Sequence, residues 1–153
     1  MKSIIIYQSI HHKNTEKIAK VMAEVLDAKL VKPSEVKPEE LLDYDLIGFG
    51  SGIYWWRHHR QLIDLAKKLP IVKEKMAFIF STSGLRYGKK IIHYFLKKLL
   101  IKKGFKIIGE FNCPGYDTFG ILKIFGGINK DRPNEKDLKK ATLFALNLKD
   151  KII

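Results

Sequence analysis

Apolar and polar residues alternate along the chain with two periods, one typical of strands and one typical of helices. Short apolar runs predict buried strands over residues 2–7, 28–31, 44–50, 75–81 and 105–111. Apolar residues at helical spacing predict helices over 14–26, 58–69, 89–103 and 133–149, with a weaker one after Pro38. Pro70 ends the second of these helices, and Gly104 caps the third.

This alternation of strands and helices predicts a single α/β domain over residues 1–153. Parallel strands need helical crossovers on both faces, so we expect a doubly wound three-layer sandwich with a five-stranded parallel sheet. If the strand order is 2-1-3-4-5, a switch point lies between the first and third strands. Ligands of open α/β sheets bind beyond the carboxyl ends of the strands at such a point.

The loop after the first strand has the character of a phosphate cradle. Ser9 and Thr15 offer hydroxyls, Asn14 offers an amide, and Lys13 offers a positive charge. A helix begins here, and helix N-termini hold anions. The glycines of a Walker loop or a dinucleotide fingerprint are missing. An ordinary capped loop explains the same composition equally well.

The loop after the third strand carries three consecutive aromatic residues in the stretch SGIYWWRHH. Tyr54, Trp55 and Trp56 cannot all face the core, so at least one ring should be exposed. An exposed ring beside a cleft suits stacking on a planar ligand. The alternative is a packing cluster over the following helix, which would account for one tryptophan.

Two later loops also have compositions that suit a ligand. The stretch STSGLRYG after the fourth strand lets the backbone approach a ligand closely, and Tyr87 offers another ring. A plain Gly/Ser turn is the alternative. The loop over 112–132 is too long for a simple connection, and such loops are commonly functional.

Taken together, these stretches resemble the flavodoxin-like proteins, and most closely their single-domain prokaryotic branch. The resemblance covers nearly the whole chain and rests on SIHHKNTEKIA, DYDLIGFGSGIYWW, FIFSTSG, GEFNCPGYDTFG and GGINKDRPNEKDL. It implies a noncovalently bound FMN cofactor. The phosphate would lie against Ser9, His11, His12, Lys13, Asn14 and Thr15. The flavin ring would lie between Gly52, Ile53, Tyr54 and Trp55 on one side and Thr82, Ser83 and Gly84 on the other, with Tyr87 nearby.

The chain departs from this family in two ways. Lys13 stands where the family commonly has glycine. If that position requires a positive φ, the lysine carries a strain of ~1 kcal/mol or more, but it brings a cation to the phosphate. Flavodoxins proper are acidic, whereas this chain has a formal net charge of +13.

Much of the positive charge lies in one window of the sequence. Residues 75–109 contain nine lysines and arginines and no Asp or Glu. A solvated helix face is the ordinary explanation. The functional alternatives are docking surfaces for an acidic protein, an anionic membrane or nucleic acid. Nucleic acid is the weakest, because basic charge stands here without a recognised binding module. We expect redox partner proteins of acidic character.

Two functions fit these features, and an electron-transfer flavoprotein is the first. The second is a flavin-dependent oxidoreductase that acts on a small substrate such as a quinone or porphyrinogen. The sequence has no nicotinamide fingerprint, which favours the carrier. The single cysteine, Cys113, and the lack of a signal peptide or membrane span indicate a cytoplasmic protein.

Residue spacing argues against two other kinds of site. The pairs His11-His12 and His58-His59 resemble metal ligands, but adjacent loop residues rarely point the same way, so we expect no metal. Cys113 lacks the downstream arginine that a phosphatase thiolate needs, so we expect a buried or half-buried spectator thiol.

Overall fold

A parallel sheet lies between two layers of helices in the computed structural model, which describes residues 1–9, 13–83, 88–115 and 132–152. The five parallel strands are β1 Ser3–Gln8, β2 Ala28–Val31, β3 Leu46–Tyr54, β5 Lys75–Ser83 and β6 Phe105–Pro114. A short strand, β4 (Arg57–His58), pairs antiparallel with the end of β3. The parallel strands run in the order β2-β1-β3-β5-β6. This confirms the predicted order 2-1-3-4-5, since β5 and β6 are the fourth and fifth parallel strands.

The helices connect these strands across both faces of the sheet. They are α1 Asn14–Leu26, α2 Arg60–Lys67, α3 Lys89–Ile92, α4 Tyr94–Lys102 and α5 Glu135–Ile152. Two 3₁₀ helices, Pro33–Glu35 and Pro38–Asp43, follow β2. The weak helix predicted after Pro38 is the second of these. Both begin at a proline, where a missing N–H costs nothing because it would have no partner.

Several element boundaries differ from the prediction. The third strand continues past Gly50 to Tyr54, because β4 gives its end an antiparallel partner. The next helix therefore begins at Arg60 rather than at position 58. The helix predicted over 89–103 is divided into α3 and α4 at His93, whose side chain is buried against β5 and β6. Gly104 follows α4 with a φ of 98°, as its predicted capping role requires.

Two apolar cores lie on opposite faces of the sheet, because successive strand residues point in opposite directions. One core packs β-strand residues against α2 and α4; it includes Ile4, Ile6, Ile47, Phe49, Leu62, Ile79, Leu96 and Leu100. The other packs them against α1 and α5; it includes Ile5, Ile18, Met22, Phe78, Phe80, Ala141 and Ala145. The sheet is thus covered on both faces.

Two glycines of β3 make room for phenylalanine rings of the neighbouring strand. A Cβ atom on Gly48 would lie 2.3 Å from the ring of Phe78, and one on Gly50 would lie 2.1 Å from the ring of Phe80. Both distances are far shorter than van der Waals contact. Gly48 and Gly50 therefore serve packing inside the sheet.

The start of α5 is fixed by a buried ion pair. Asp137 is buried, accepts hydrogen bonds from the Arg132 guanidinium, and also accepts one from the Asn134 N–H at 2.8 Å. The Asn134 side chain accepts the Asp137 N–H in return. This confirms the predicted place of Asn134 near the helix cap. Burial alone would raise the pKa of Asp137, but these hydrogen bonds hold it below its usual value.

Candidate functional site

The carboxyl ends of β1, β3, β5 and β6 meet at one edge of the sheet. Gln8 at the end of β1 pairs with Ser51 of β3. Gly52 of β3 pairs with Thr82 of β5, and Thr82 pairs with Cys113 of β6. The loops that the sequence singled out therefore start side by side at the switch point between β1 and β3.

The loop after β1 ends in a strained residue at the start of α1. Lys13 has φ 53° and ψ 33°, a left-handed conformation that costs a non-glycine residue about 1 kcal/mol. The positive φ that was considered for this position from the sequence is therefore present. The side chain of Lys13 is exposed. A positive charge and the N–H groups of a thirteen-residue helix thus face the same loop.

Ser9 closes this loop onto the first turn of α1. Its Oγ accepts a hydrogen bond from the Glu16 N–H at 3.2 Å. The Glu16 carboxylate is itself held by the Tyr7 hydroxyl at 3.2 Å and approaches Lys20 at 4.0 Å. The predicted residues His11 and His12 lie outside the described residues.

A buried hydrogen bond joins the first turn of α1 to the end of β5. Thr15 Oγ1 and Thr82 Oγ1 are 2.9 Å apart, and both side chains are buried. Ser83, the last residue of β5, accepts the Gly115 N–H at its carbonyl oxygen at 3.1 Å. Direct hydrogen bonds therefore join the segments that follow β1 and β6 to the end of β5. The predicted residues Gly84 and Tyr87 lie outside the described residues.

The two tryptophans form the tip of a tight hairpin. Ile53 pairs with His58 and Tyr54 with Arg57, so only Trp55 and Trp56 lie between the strands. Their φ angles are 51° and 67°. Two positive values in a two-residue loop are typical of a type I′ turn, which usually carries Asn-Gly. Such strain persists where the surroundings enforce it, and it is common at functional sites.

The hairpin presents its aromatic tip to solvent. Trp55 is 84% exposed and Trp56 is 49% exposed. The prediction that at least one ring of the trio is exposed is confirmed. Tyr54 packs edge-on against His59, with 5.3 Å between ring centroids. Ser51 Oγ fixes the base of the hairpin, since it accepts the His59 N–H at 2.8 Å and donates to the Gly52 carbonyl at 2.7 Å.

A buried polar cluster beneath this edge was not predicted from the sequence. Ser81 Oγ lies 2.6 Å from His93 Nε2, and His93 Nδ1 lies 3.2 Å from Glu110 Oε1. These residues are far apart in the sequence and meet only across the sheet. The one signal in the sequence is His93 on the apolar face of a predicted helix, where an imidazole needs polar partners.

His58 and Cys113 are also buried near this edge. The His58 Nε2–H donates to the Phe80 carbonyl at 3.0 Å, and burial lowers its pKa to about 3. Burial raises the pKa of Cys113 to about 12, so the thiol stays protonated. Cys113 is therefore the buried, inert thiol that was expected. Within the described ranges, no group of three His, Cys, Asp or Glu residues could hold a metal ion.

Comparison with known proteins agrees with this architecture. Residues 4–124 match the family described as Flavodoxin domain. The chain belongs to the flavodoxin family. An uncharacterized protein of Methanocaldococcus jannaschii is 51% identical to it over 148 residues, covering 97% of this chain and 98% of the relative.

Solved flavodoxins share the fold at low sequence identity. Oxidised Flavodoxin 2 from Bacillus cereus is 21% identical, with a TM-score of 0.74 and 99% of each chain covered. A flavodoxin from the domain Archaea is 15% identical, with a TM-score of 0.67 and the same coverage. As for membranes, no helix in the described part of this flavodoxin is both long and apolar enough to cross one.

Proposed function

We propose that this flavodoxin binds FMN at the carboxyl edge of its sheet and carries electrons between redox partner proteins. The observation that carries the proposal is the junction at Thr15 and Thr82. Their 2.9 Å hydrogen bond joins an anion-attracting helix N-terminus to the strand that neighbours the aromatic hairpin. A molecule with a phosphate at one end and a planar ring at the other suits the helix N-terminus and the aromatic hairpin together.

The residues present suit the phosphate end of FMN. Lys13 supplies a charge, and Asn14 and Thr15 open α1, whose N-terminal dipole attracts anions. Ser9 holds the loop in place through its bond to Glu16. We include His11 and His12 in the phosphate site on the family resemblance.

The ring end of FMN is proposed to lie between the hairpin and the end of β5. Gly52, Ile53, Tyr54 and Trp55 supply one side; Thr82, Ser83, Gly84 and Tyr87 supply the other. Trp55 offers the exposed aromatic surface, and the in-register pairing of Gly52 with Thr82 holds the two sides together. When bound, FMN supplies the electron chemistry, because it accepts and releases one or two electrons. The protein positions it and sets its surroundings.

Reconstitution of the purified protein with FMN and with riboflavin tests this proposal. We expect a yellow protein that releases FMN on denaturation and binds riboflavin, which lacks the phosphate, more weakly. Lys13→Asn should weaken FMN binding about fivefold to tenfold, as loss of an exposed charge contact worth about 1 kcal/mol predicts. Asparagine tolerates the left-handed backbone at position 13, so the fold should be kept.

Riboflavin binding by Lys13→Asn is the internal control and should equal that of the wild type. A colourless protein that takes up no FMN would overturn the proposal. Turnover of NAD(P)H with a quinone separates the carrier from the flavin-dependent oxidoreductase. We expect no such turnover, and rapid steady-state turnover would instead establish the enzyme.

We further propose that the redox partner is acidic and docks on one face of α3 and α4, here called the basic face. Its exposed residues are Lys90, Ile91, Tyr94, Lys98, Ile101 and Lys102. Neither helix carries a carboxylate. An apolar centre with a lysine rim complements a partner whose carboxylates surround an apolar patch.

The basic face is continuous with the aromatic hairpin. The Arg57 guanidinium, next to Trp56, lies 4.2 Å from the centre of the Phe95 ring on α4. The Lys98 ammonium lies 5.8 Å from the Tyr94 ring. A partner on this face would therefore approach the proposed flavin ring. A protein partner suits this surface better than a membrane does, because the broad apolar side of α4, including Leu96 and Leu100, is already buried in the core.

Charge reversal tests the docking surface. The triple variant Lys90→Glu, Lys98→Glu and Lys102→Glu should slow electron transfer to a small acidic ferredoxin about tenfold at low ionic strength, because steering is lost. A control with the same net charge, Lys29→Glu, Lys37→Glu and Lys139→Glu, should change the rate less than twofold. Stopped-flow absorbance measures both. Equal slowing in the two triples would show that net charge alone acts and would refute the basic face.

A further inference from the structure

Gly115, the residue that follows β6, lies directly against the first residue of α1. It is buried, and a Cβ atom built on it would lie 2.7 Å from Asn14 Nδ2 and 3.0 Å from Asn14 Cγ. Both distances are shorter than the ~3.5–4.0 Å at which non-bonded atoms pack. The Asn14 side chain therefore occupies the space that any side chain at position 115 would need.

The backbones on both sides of this contact are held by the end of β5. The Gly115 N–H donates to the Ser83 carbonyl at 3.1 Å. Thr15, which follows Asn14, has its hydroxyl oxygen 2.9 Å from that of Thr82, and both threonines are buried. Thr82 and Ser83 are consecutive residues of β5. A methyl group added at position 115 would therefore push the Asn14 side chain aside before it moved either backbone.

Backbone conformation does not explain the glycine at position 115. Gly104 has a positive φ, whereas Gly115 does not. An alanine at position 115 therefore meets no left-handed strain. What this position requires is space beside Asn14.

Core packing explains a similar close approach within β6, but not the one at Gly115. A Cβ atom on Gly109 would lie 2.8 Å from Leu148 Cδ2 and 3.0 Å from Phe144 Cε2, and both side chains belong to the apolar core formed with α5. Gly115 instead faces a polar side chain at the N-terminus of α1. An amide gains little from apolar packing, so the close fit of Asn14 on Gly115 has another explanation.

We infer that Gly115 is a positioning residue for the phosphate of FMN, because the bare backbone at this position leaves the Asn14 amide in place at the start of α1. This rests on the proposed function, in which Asn14 is one of the phosphate-binding residues. A hydrogen bond from an amide N–H to a phosphate is charge-assisted and about twice as strong as a neutral one. The loop over 112–132, which was predicted to be functional, thus includes a residue that acts on the phosphate end of the ligand.

Gly115→Ala tests the inference through the difference between FMN and riboflavin, which lacks the phosphate. The added methyl group displaces the Asn14 amide, so the affinity for FMN should fall about tenfold, as loss of one charge-assisted hydrogen bond predicts. The affinity for riboflavin should change less than about twofold. Quenching of flavin fluorescence on titration with the protein measures both. The melting temperature without flavin should fall by less than ~2 °C, because only the end of a polar side chain has to move.

Gly109→Ala is the matched control, with the same substitution and a similar clash inside β6. It should lower the melting temperature by about 5 °C and leave the ratio of the FMN and riboflavin affinities unchanged. Asn14→Ala should lower the affinity for FMN as much as Gly115→Ala does, and the double variant should show no further loss.

Four results would overturn the positioning role while FMN binding by the wild type stands. They are an unchanged FMN affinity in either single variant, equal losses of FMN and riboflavin affinity in Gly115→Ala, additive losses in the double variant, and a Gly115→Ala chain that does not fold. Failure of the wild type to bind FMN would overturn the proposed function and this role together.

Discussion

Gly50→Ala is expected to lower the free energy of unfolding by about 3 kcal/mol or more. A Cβ at this position would lie 2.1 Å from the buried ring of Phe80. Overpacking a close-packed core costs about 1–3 kcal/mol, and here the ring has apolar neighbours on its far side. Phe78 stacks on Phe80 with 6.0 Å between centroids, so the ring cannot move away freely. Urea unfolding followed by circular dichroism measures the change.

A double variant and a matched glycine provide the controls. Phe80→Leu removes part of the ring, so it should recover a large share of the loss in the Gly50→Ala background. Gly88→Ala should change stability by less than about 0.5 kcal/mol, because φ is −65° there and a new Cβ meets no atom of the described residues within 4 Å. Equal losses for Gly50→Ala and Gly88→Ala would contradict the clash.

Acid is expected to destabilise the protein steeply below pH 6.5. His58 and His93 are both buried, and their pKa values are lowered to about 3, chiefly by desolvation. The unfolded chain binds these protons below about pH 6.5 and the folded chain does not, so stability falls as the pH falls. Each imidazole contributes about 1.4 kcal/mol per pH unit in this window. Since each imidazole of the unfolded chain is only half protonated at pH 6.5, the pair should remove about 4.5 kcal/mol between pH 6.5 and ~pH 4.5.

The charges around the two imidazoles agree with a lowered pKa for both. Their ring centroids are 5.1 Å apart, so each proton would repel the other. Lys89 and Lys97 also face His93, and the Glu110 carboxylate at 3.2 Å opposes them without reversing the shift. His58 contacts the Phe80 carbonyl, which favours protonation but does not outweigh burial.

Urea unfolding at a series of pH values measures this dependence. His58→Gln and His93→Gln should each reduce the slope by about half, because each removes one titrating group. A wild-type stability that is flat from pH 6.5 to ~pH 4.5 would contradict the prediction. Asp137 does not complicate this window, since its folded pKa lies below its usual value and its contribution is lost only at lower pH.

The pattern of apolar runs was sufficient to predict a parallel sheet between two layers of helices, and the resemblance to flavodoxin-like proteins supplied its strand order. The strained backbone at Lys13 was predictable because a glycine is usual there in related proteins. The β3–β4 hairpin was not predictable, because Trp55-Trp56 is not a turn signature and the apolar run of the third strand ends at Gly50. A tertiary contact fixes that turn, with Arg57 lying against Phe95.

The buried polar cluster was beyond prediction for another reason. Ser81, His93 and Glu110 lie 12 and 17 residues apart, and only the pairing of β5 with β6 brings them together. The same sheet contact explains the break in the helix predicted over 89–103. His93 satisfies its nitrogens against the strands, so α3 and α4 meet at a buried imidazole.

The tip of the hairpin also determines how the protein can be observed. The chain has two tryptophans, Trp55 and Trp56, and they are adjacent. Its indole fluorescence therefore originates from one point on the surface, beside the proposed flavin ring. A flavin absorbs where indole emits, so ligand arrival should quench this emission without any added label. The emission maximum therefore reports the surroundings of this hairpin.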